Sequence, residues 1–285
     1  MKLRVAALLA LAFTSLAPQA GTAGGVLDRV AKTGTIHLGY RENALPFSFV
    51  GTDGQPAGYS VELCTRVANG IKEQLKLPAL KTVWVPVTAE TRIDAVTSGK
   101  VDVECGMTTV TMSRQEKVDF SYLVFADGGN MLVRADSGIA RLADLNGKKV
   151  AVQGQTTTEQ LVRQGLGERR IAVEIVTVNG PAEGLGLLEA GRADGYAGDR
   201  MALIGLALKA KDIEKLRLIE DDFSYEPYAL MLPRADDDLR LAVNRELTRL
   251  YRSGEVSEIL NDWFGALGGP GVLLSALYYL NAIPE

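Results

Sequence analysis

The chain has 285 residues, with 31 basic against 35 acidic side chains and a formal net charge of −4. An acidic balance without basic runs excludes nucleic acid and anionic membrane as natural partners. One histidine and two cysteines supply no zinc cluster, and no motif calls for a metal or other cofactor.

Residues 1–23 read as a secretory signal peptide. Lys2 and Arg4 make a positive start, and Val5–Leu16 is an apolar run too short to span a bilayer. Pro18, Ala20, Gly21 and Ala23 supply a small-residue end, and no nearby cysteine offers a lipid anchor. The remaining chain is therefore expected to be exported and soluble. Its length, roughly 260 residues, exceeds one comfortable core and fits two lobes.

Helix and strand signals then alternate. Thr35–Tyr40 reads as a strand, and Gly58-Tyr-Ser opens a helix with Val61, Cys64, Ala68, Ile71 and Leu75 at helical spacing. Lys81–Val85 is a strand, Thr88 caps a helix running through Ser98, and Val101–Cys105 is a strand. A second series begins at the turn Leu145-Asn-Gly and the strand ending at Gln153. A helix from Thr157, strand Val173–Val176, a helix after Pro181 and strand Asp194–Ala197 follow. This β-α-β alternation predicts an α/β fold with parallel sheets. Two helices, Leu239–Arg252 and Glu255–Phe264, close the domain. Beyond a linker starting at Gly268-Gly-Pro-Gly271, Leu273–Leu280 is expected to pack back on the first lobe.

Two segments match each other: Ser98-Gly-Lys-Val-Asp-Val103 and Ala190-Gly-Arg-Ala-Asp-Gly195. Each reads as a helix end, a glycine stop, a cation, an acid and a strand. Used twice, the unit implies two similar lobes aiming strand ends at one cleft. Apolar, extended segments near Ala126–Gly129 and Ser224–Tyr228 serve as the two crossings between them. The expected division is 24–126 for the first part of lobe one, 127–225 for lobe two, and 226–285 for the return and tail.

The polar residues beyond the strand ends are the candidate site. Arg114, in a short helix capped by Thr111 and preceded by Thr108 and Thr109, has the planar fork that matches a carboxylate; a surface ion pair is the alternative. Asp199 suits an ammonium group or serves as a helix N-cap. Thr156 and Thr157 open a helix, with Glu159 at capping-box spacing from Thr156, which makes an anion site or an ordinary cap. Arg41 follows the first strand. Arg92 lies near a helix start, the wrong end for a cation, so it answers either a ligand anion or an acid such as Glu90. Cys64 and Cys105 are either bridged or two packed thiols. Catalytic machinery is scarce: His37 lies mid-strand, and no Gly-x-Ser-x-Gly elbow, cysteine–histidine pair or HExxH helix occurs.

Taken together, Gly39-Tyr-Arg-Glu-Asn-Ala-Leu-Pro-Phe-Ser-Phe49, Gly58-Tyr-Ser60, Thr91-Arg-Ile93, Glu104-Cys-Gly106, Arg114-Gln115, Asp119-Phe-Ser121, Gly191-Arg-Ala193 and the closing Leu280-Asn-Ala-Ile-Pro-Glu285 are familiar. The chain resembles the periplasmic polar amino-acid-binding proteins of ABC importers (bacterial solute-binding protein family 3), in their glutamate/aspartate branch. The resemblance implies the type II periplasmic-binding-protein fold, with two crossing hinge strands and the ligand between the lobes. It implies a non-enzymatic monomer that hands an acidic amino acid to a membrane permease. Arg114 would hold the α-carboxylate with Thr109, the Met107 backbone and the Thr156/Thr157 helix start. Asp199 would take the α-ammonium, and Arg41 and Arg92 the side-chain carboxylate. Ala89 and Met107 stand where that branch has serine, and Pro181 aligns with a histidine. The alternative is an enzyme resembling secreted cyclohexadienyl dehydratases, which use the same fold on a cyclic acid.

Overall fold

The computed structural model describes residues 24–265 and 271–284; the signal peptide expected at 1–23 and most of the linker expected at 268–271 lie outside them. The first part of the chain gives α1 (Val26–Thr33), β1 (Thr35–Arg41), the short strands β2 (Asn43–Ala44), β3 (Ser48–Val50) and β4 (Pro56–Ala57), and α2 (Tyr59–Gln74). It continues through β5 (Lys81–Val87), α3 (Arg92–Thr97), β6 (Val103–Glu104), α4 (Met112–Gln115) and β7 (Val118–Asp127). The middle of the chain is β8 (Gly129–Arg134), β9 (Lys148–Gln153), α5 (Thr157–Glu168), β10 (Val173–Val178), α6 (Pro181–Glu189), β11 (Gly195–Asp199), α7 (Arg200–Ala207) and β12 (Leu216–Leu218). The return consists of β13 (Glu226–Pro233), α8 (Asp237–Ser253), α9 (Glu255–Phe264) and α10 (Val272–Asn281).

The strands form two five-stranded sheets, ordered β5-β1-β6-β13-β7 and β10-β9-β11-β8-β12, beside a small sheet of β2, β3 and β4. The two large sheets are variants of one plan. In each, the first strand of a β-α-β-α-β series lies between the second and the third, and all three run parallel. Ligand crevices of α/β sheets form outside the carboxyl ends of strands, where such an order reverses. Here both crevices face each other.

The matching segments do the same job in both sheets. In the first, Asp102 accepts the His37 N–H at 2.8 Å while its own N–H donates to the His37 carbonyl at 2.8 Å. In the second, Asp194 exchanges the same two bonds with Lys149, each at 2.8 Å. Gly99 and Gly191 precede them with φ of 73° and 66°, a left-handed turn that disfavours a side chain.

Two expectations require correction. The sheets are mixed rather than wholly parallel, because β13 and β8 are antiparallel to their neighbours. The reason is the crossing: a strand that enters a sheet from the cleft runs against strands that end there. The helix expected from Thr88 begins instead at Arg92. Thr88 and Thr91 close the preceding turn on themselves, each hydroxyl accepting the other's N–H at 3.0–3.2 Å.

In the first lobe the sheet packs on α2, α8, α9 and α10 through a cluster that includes Leu38, Leu63, Val67, Val243 and Leu247. Phe47, Tyr59, Phe125, Tyr228 and Phe264 pack ring to ring there, with centroids 4.9–6.3 Å apart. Fully burying each such side chain contributes about 1.5–3 kcal/mol. Cys64 of α2 and Cys105, just past β6, are joined in a disulfide. α10 docks against β7, where the Tyr59 hydroxyl meets that of Tyr278 at 2.7 Å and the Val124 carbonyl at 2.8 Å. The second sheet is covered on both faces, by Val150, Val152 and Val162 on one side and Leu185, Leu188 and Leu203 on the other.

The two crossings lie side by side. The Gly129 N–H donates to Ser224 Oγ at 2.9 Å, and its carbonyl accepts from Phe223 at 2.8 Å. A Cβ on Gly129 would sit 2.5 Å from that hydroxyl, so the close approach requires glycine.

Candidate functional site

A cavity of about 940 Å³, counting its open mouth, lies between the lobes at the carboxyl ends of the parallel strands. All eight sequence-predicted residues line it: Arg41, Arg92, Met107, Thr109, Arg114, Thr156, Thr157 and Asp199.

From the first lobe, β1 delivers Arg41 at its carboxyl end and α3 delivers Arg92 at its start. Both are buried, at 7% and 4% exposure, and the Nε–H of each has no acceptor among the described residues. Burial lowers both guanidinium pKa values, that of Arg41 to about 10 with the neighbouring Arg92 adding to the effect. Both stay charged at neutral pH. Arg114 sits on α4, whose start is capped by Thr111 accepting the Arg114 N–H at 3.2 Å. Its Nη1 donates to the Thr109 carbonyl at 2.7 Å, and burial lowers its pKa to about 10.

From the second lobe come the start of α5 and the end of β11. Thr156 has its hydroxyl committed to the helix start, donating to the Gln153 carbonyl and accepting the Glu159 N–H. Glu159 in turn accepts the Gln155 N–H at 2.9 Å, one residue earlier than an ordinary capping box. The N–H groups of the first turn of α5 have no intrahelical acceptors, so they and the helix dipole favour an anion in the cavity. Asp199 precedes α7 but makes no cap bond. Its carboxylate instead accepts Tyr228 Oη at 2.6 Å and Thr158 Oγ1 at 3.1 Å. Burial, with Glu226 and Asp127 nearby, raises its pKa to about 7.

Several site residues escaped the sequence reading. Glu226, at the head of β13, accepts Thr109 Oγ1 at 2.7 Å from one lobe and Thr157 Oγ1 at 3.0 Å from the other, while Ser224 Oγ donates to its second oxygen at 2.7 Å. Asp127, ending β7, accepts the Met201 N–H of α7 at 3.0 Å, and its burial raises its pKa to about 6. Glu104 is fully buried behind the arginines; Thr108 donates to one oxygen and the other has no partner. Tyr196 and the α7 side chains Ala202, Leu203 and Leu206 form an apolar wall. Glu104 stood in the sequence only as part of the landmark Glu104-Cys-Gly106, and no local motif signals the others. Glu226 and Asp127 reach the cleft because the crossings bring them there, whereas Glu104 lies in β6, Tyr196 in β11 and the apolar side chains on α7. Among the described residues no group of histidine, cysteine and carboxylate side chains could hold a metal ion.

Three guanidinium groups on one side and a buried carboxylate on the other can hold a zwitterion bearing an extra negative charge. The sequence profile of the bacterial extracellular solute-binding proteins, family 3, matches residues 36–266. The chain belongs to that family. This solute-binding protein is 36% identical over 241 residues to an L-glutamate/L-aspartate-binding protein of Pseudomonas aeruginosa, covering 84% of this chain and 80% of the relative. It is 31% identical over 262 residues to a glutamate/aspartate import solute-binding protein of Escherichia coli, covering 90% and 87%. Among solved structures, an ancestral amino acid-binding protein described as a precursor of cyclohexadienyl dehydratase aligns with TM-score 0.73 and 30% identity over 84% of this chain and 99% of its own. An ancestral arginine-binding protein bound to arginine aligns with TM-score 0.72 and 28% identity over 81% and 99%. The fold is thus the type II periplasmic-binding-protein architecture, with two α/β lobes and the cleft between them.

Proposed function

We propose that this solute-binding protein captures an acidic amino acid of the glutamate/aspartate kind outside the cytoplasm and delivers it to the permease of an ABC importer. The observation that carries this reading is the pair Arg41 and Arg92: two buried guanidinium groups, each with an unpartnered Nε–H, facing one cavity. A neutral ligand side chain would leave both Nε–H groups desolvated and unpaired, which is costly. The relatives named as glutamate/aspartate-binding proteins support the same ligand class.

In this reading Arg114, Thr109, the Met107 backbone and the start of α5 hold the α-carboxylate, and Asp199 takes the α-ammonium. Arg41 and Arg92 hold the side-chain carboxylate. Thr109 and Thr157 already donate their hydroxyls to Glu226, so they act less as donors to ligand than as a tie between the lobes. The lobes divide at residues 126/127 and 225/226, and residues 1–23 direct export to the periplasm. Among the described residues no helix is long and apolar enough to cross a membrane.

Titration calorimetry on ligand-stripped protein tests the reading, with L-glutamate, L-aspartate, L-glutamine and prephenate in parallel. Tight binding of an acidic amino acid, abolished in Arg114→Ala, is the expected result. Silence toward the amino acids, with prephenate giving heat that continues as turnover, would replace the receptor by an enzyme.

A further inference from the structure

The lobes also meet at the rim of the cavity, where Leu45 and Lys209 line it, at a glycine that does not. Gly205, buried on α7 of the second lobe, faces the loop between β2 and β3 of the first. A Cβ on Gly205 would lie 2.7 Å from the Leu45 carbonyl oxygen, 3.0 Å from its carbon and 3.3 Å from Pro46 Cδ. Ordinary contacts begin near 3.4 Å, so α7 rests on that loop with no room for a methyl group. The loop cannot give way easily. Phe47 N–H donates to the Ala44 carbonyl at 2.9 Å, and the Pro46 and Phe47 carbonyls accept the first N–H groups of α2 at 3.0 and 2.9 Å. Phe47 itself is fully buried in the aromatic cluster. On the other side, α7 is fixed to the crossing strands through Arg200 N–H to the Gly128 carbonyl and Met201 N–H to Asp127. Lys209, just beyond α7, sits 6.0 Å over the Phe49 ring at the edge of the same contact.

We propose that Gly205 is a positioning residue for ligand capture: the Leu45–Pro46 backbone seats against α7 at this glycine, and the seat sets how far the lobes close. A side chain there holds the cleft ajar and pulls the Asp199 side away from the three arginines, without touching the ligand. The proposal rests on the reading above, in which affinity comes from groups of both lobes. A small displacement suffices, because charge-assisted hydrogen bonds are short and directional and several of them from both lobes would lengthen together.

The test compares wild type with Gly205→Ala, Gly205→Val and the control Gly186→Ala, whose Cβ meets nothing within 4 Å. Affinity for L-glutamate and L-aspartate is read by calorimetry, ligand-induced contraction by small-angle scattering, and ligand-free stability by thermal melts. The expected result is binding about 10-fold weaker or worse in both Gly205 variants, with reduced contraction at saturation and no change in the control. Alanine suits a helix interior better than glycine, so the ligand-free Gly205→Ala protein melts at or above wild type while its affinity falls. These opposite signs separate a closure defect from a folding defect. Wild-type affinity and contraction in Gly205→Val, or affinity lost only in step with ligand-free stability, would overturn the proposal. Wild type that ignores both acids would refute the ligand class alone; the same variants would then be compared on L-glutamine and L-arginine.

Discussion

Lowering the pH from 8 to 6 should weaken capture of an acidic amino acid about tenfold, through Asp199. Its carboxyl is buried beside Asp127 and Glu226 and has a pKa raised to about 7 in the empty site. Only the ionised form pairs with a ligand ammonium, so the apparent Kd is the intrinsic value divided by the ionised fraction. That fraction falls from about nine-tenths at pH 8 to about one-tenth at pH 6, giving the tenfold, and one further pH unit gives about tenfold more. The arginines titrate far above this window, and Asp127, at about 6, faces Met201 and Tyr228 rather than the ligand. The sign for stability is opposite. An acid with a raised pKa makes the folded, ligand-free protein bind more protons than the unfolded chain between its ordinary value and about 7. Ligand-free stability therefore falls as pH rises through that window, while affinity rises. The assay is calorimetry with L-glutamate at pH 8, 7 and 6, repeated on Asp199→Asn and with glutarate. Asp199→Asn should bind L-glutamate weakly with no pH slope. Glutarate has no ammonium to pair with the acid, so its binding should strengthen as pH falls. An affinity for L-glutamate that is flat from pH 8 to 6, or the same slope for glutarate, would refute the assignment of Asp199 to the ammonium.

Replacing the disulfide by Cys64→Ser with Cys105→Ser should lower stability by about 4 kcal/mol in denaturant melts, from the chain entropy of a loop spanning 41 residues. Glu226→Gln leaves at least one of Thr109, Thr157 and Ser224 without its acceptor, and affinity measured by calorimetry should drop about tenfold with little change in the ligand-free melt. Tyr59→Phe breaks a hydroxyl contact shared with Tyr278 and Val124, remote from the cavity. It should cost about 1 kcal/mol of unfolding free energy and leave ligand affinity unchanged.

How far the sequence discloses this molecule depends on the range of each signal. The Asp102 and Asp194 repeat was readable because the same local chemistry, a strand-end acid bonding the neighbouring strand, is written twice. Arg41, Thr109, Arg114 and Asp199 were readable as candidates because each follows a strand end, where an α/β sheet opens on a crevice. Glu226 was not. Its segment was readable as a crossing, but nothing local marks the acid in it, and Thr109 and Thr157, which it joins, are 117 and 69 residues away. The antiparallel strands were missed for a related reason. Alternating β-α-β signals describe each lobe from within, whereas the direction of β8 and β13 is set by where the chain comes from. Gly205 carries no signal at all in a helix already rich in small residues.

One sheet is finished by the last strand of the chain to be made. β13 lies between β6 and β7, so the three strands β5-β1-β6 and the strand β7 have no common sheet until residues 226–233 arrive. All five strands of the other sheet fall within residues 129–218. During synthesis from the N-terminus, the second lobe can thus complete its sheet while the first is still an open edge. α10 then packs on β7 as the final closure. The order of completion is the reverse of the order in the sequence, and a chain cut after β12 would leave the arginine side of the pocket unbuilt beside a finished partner.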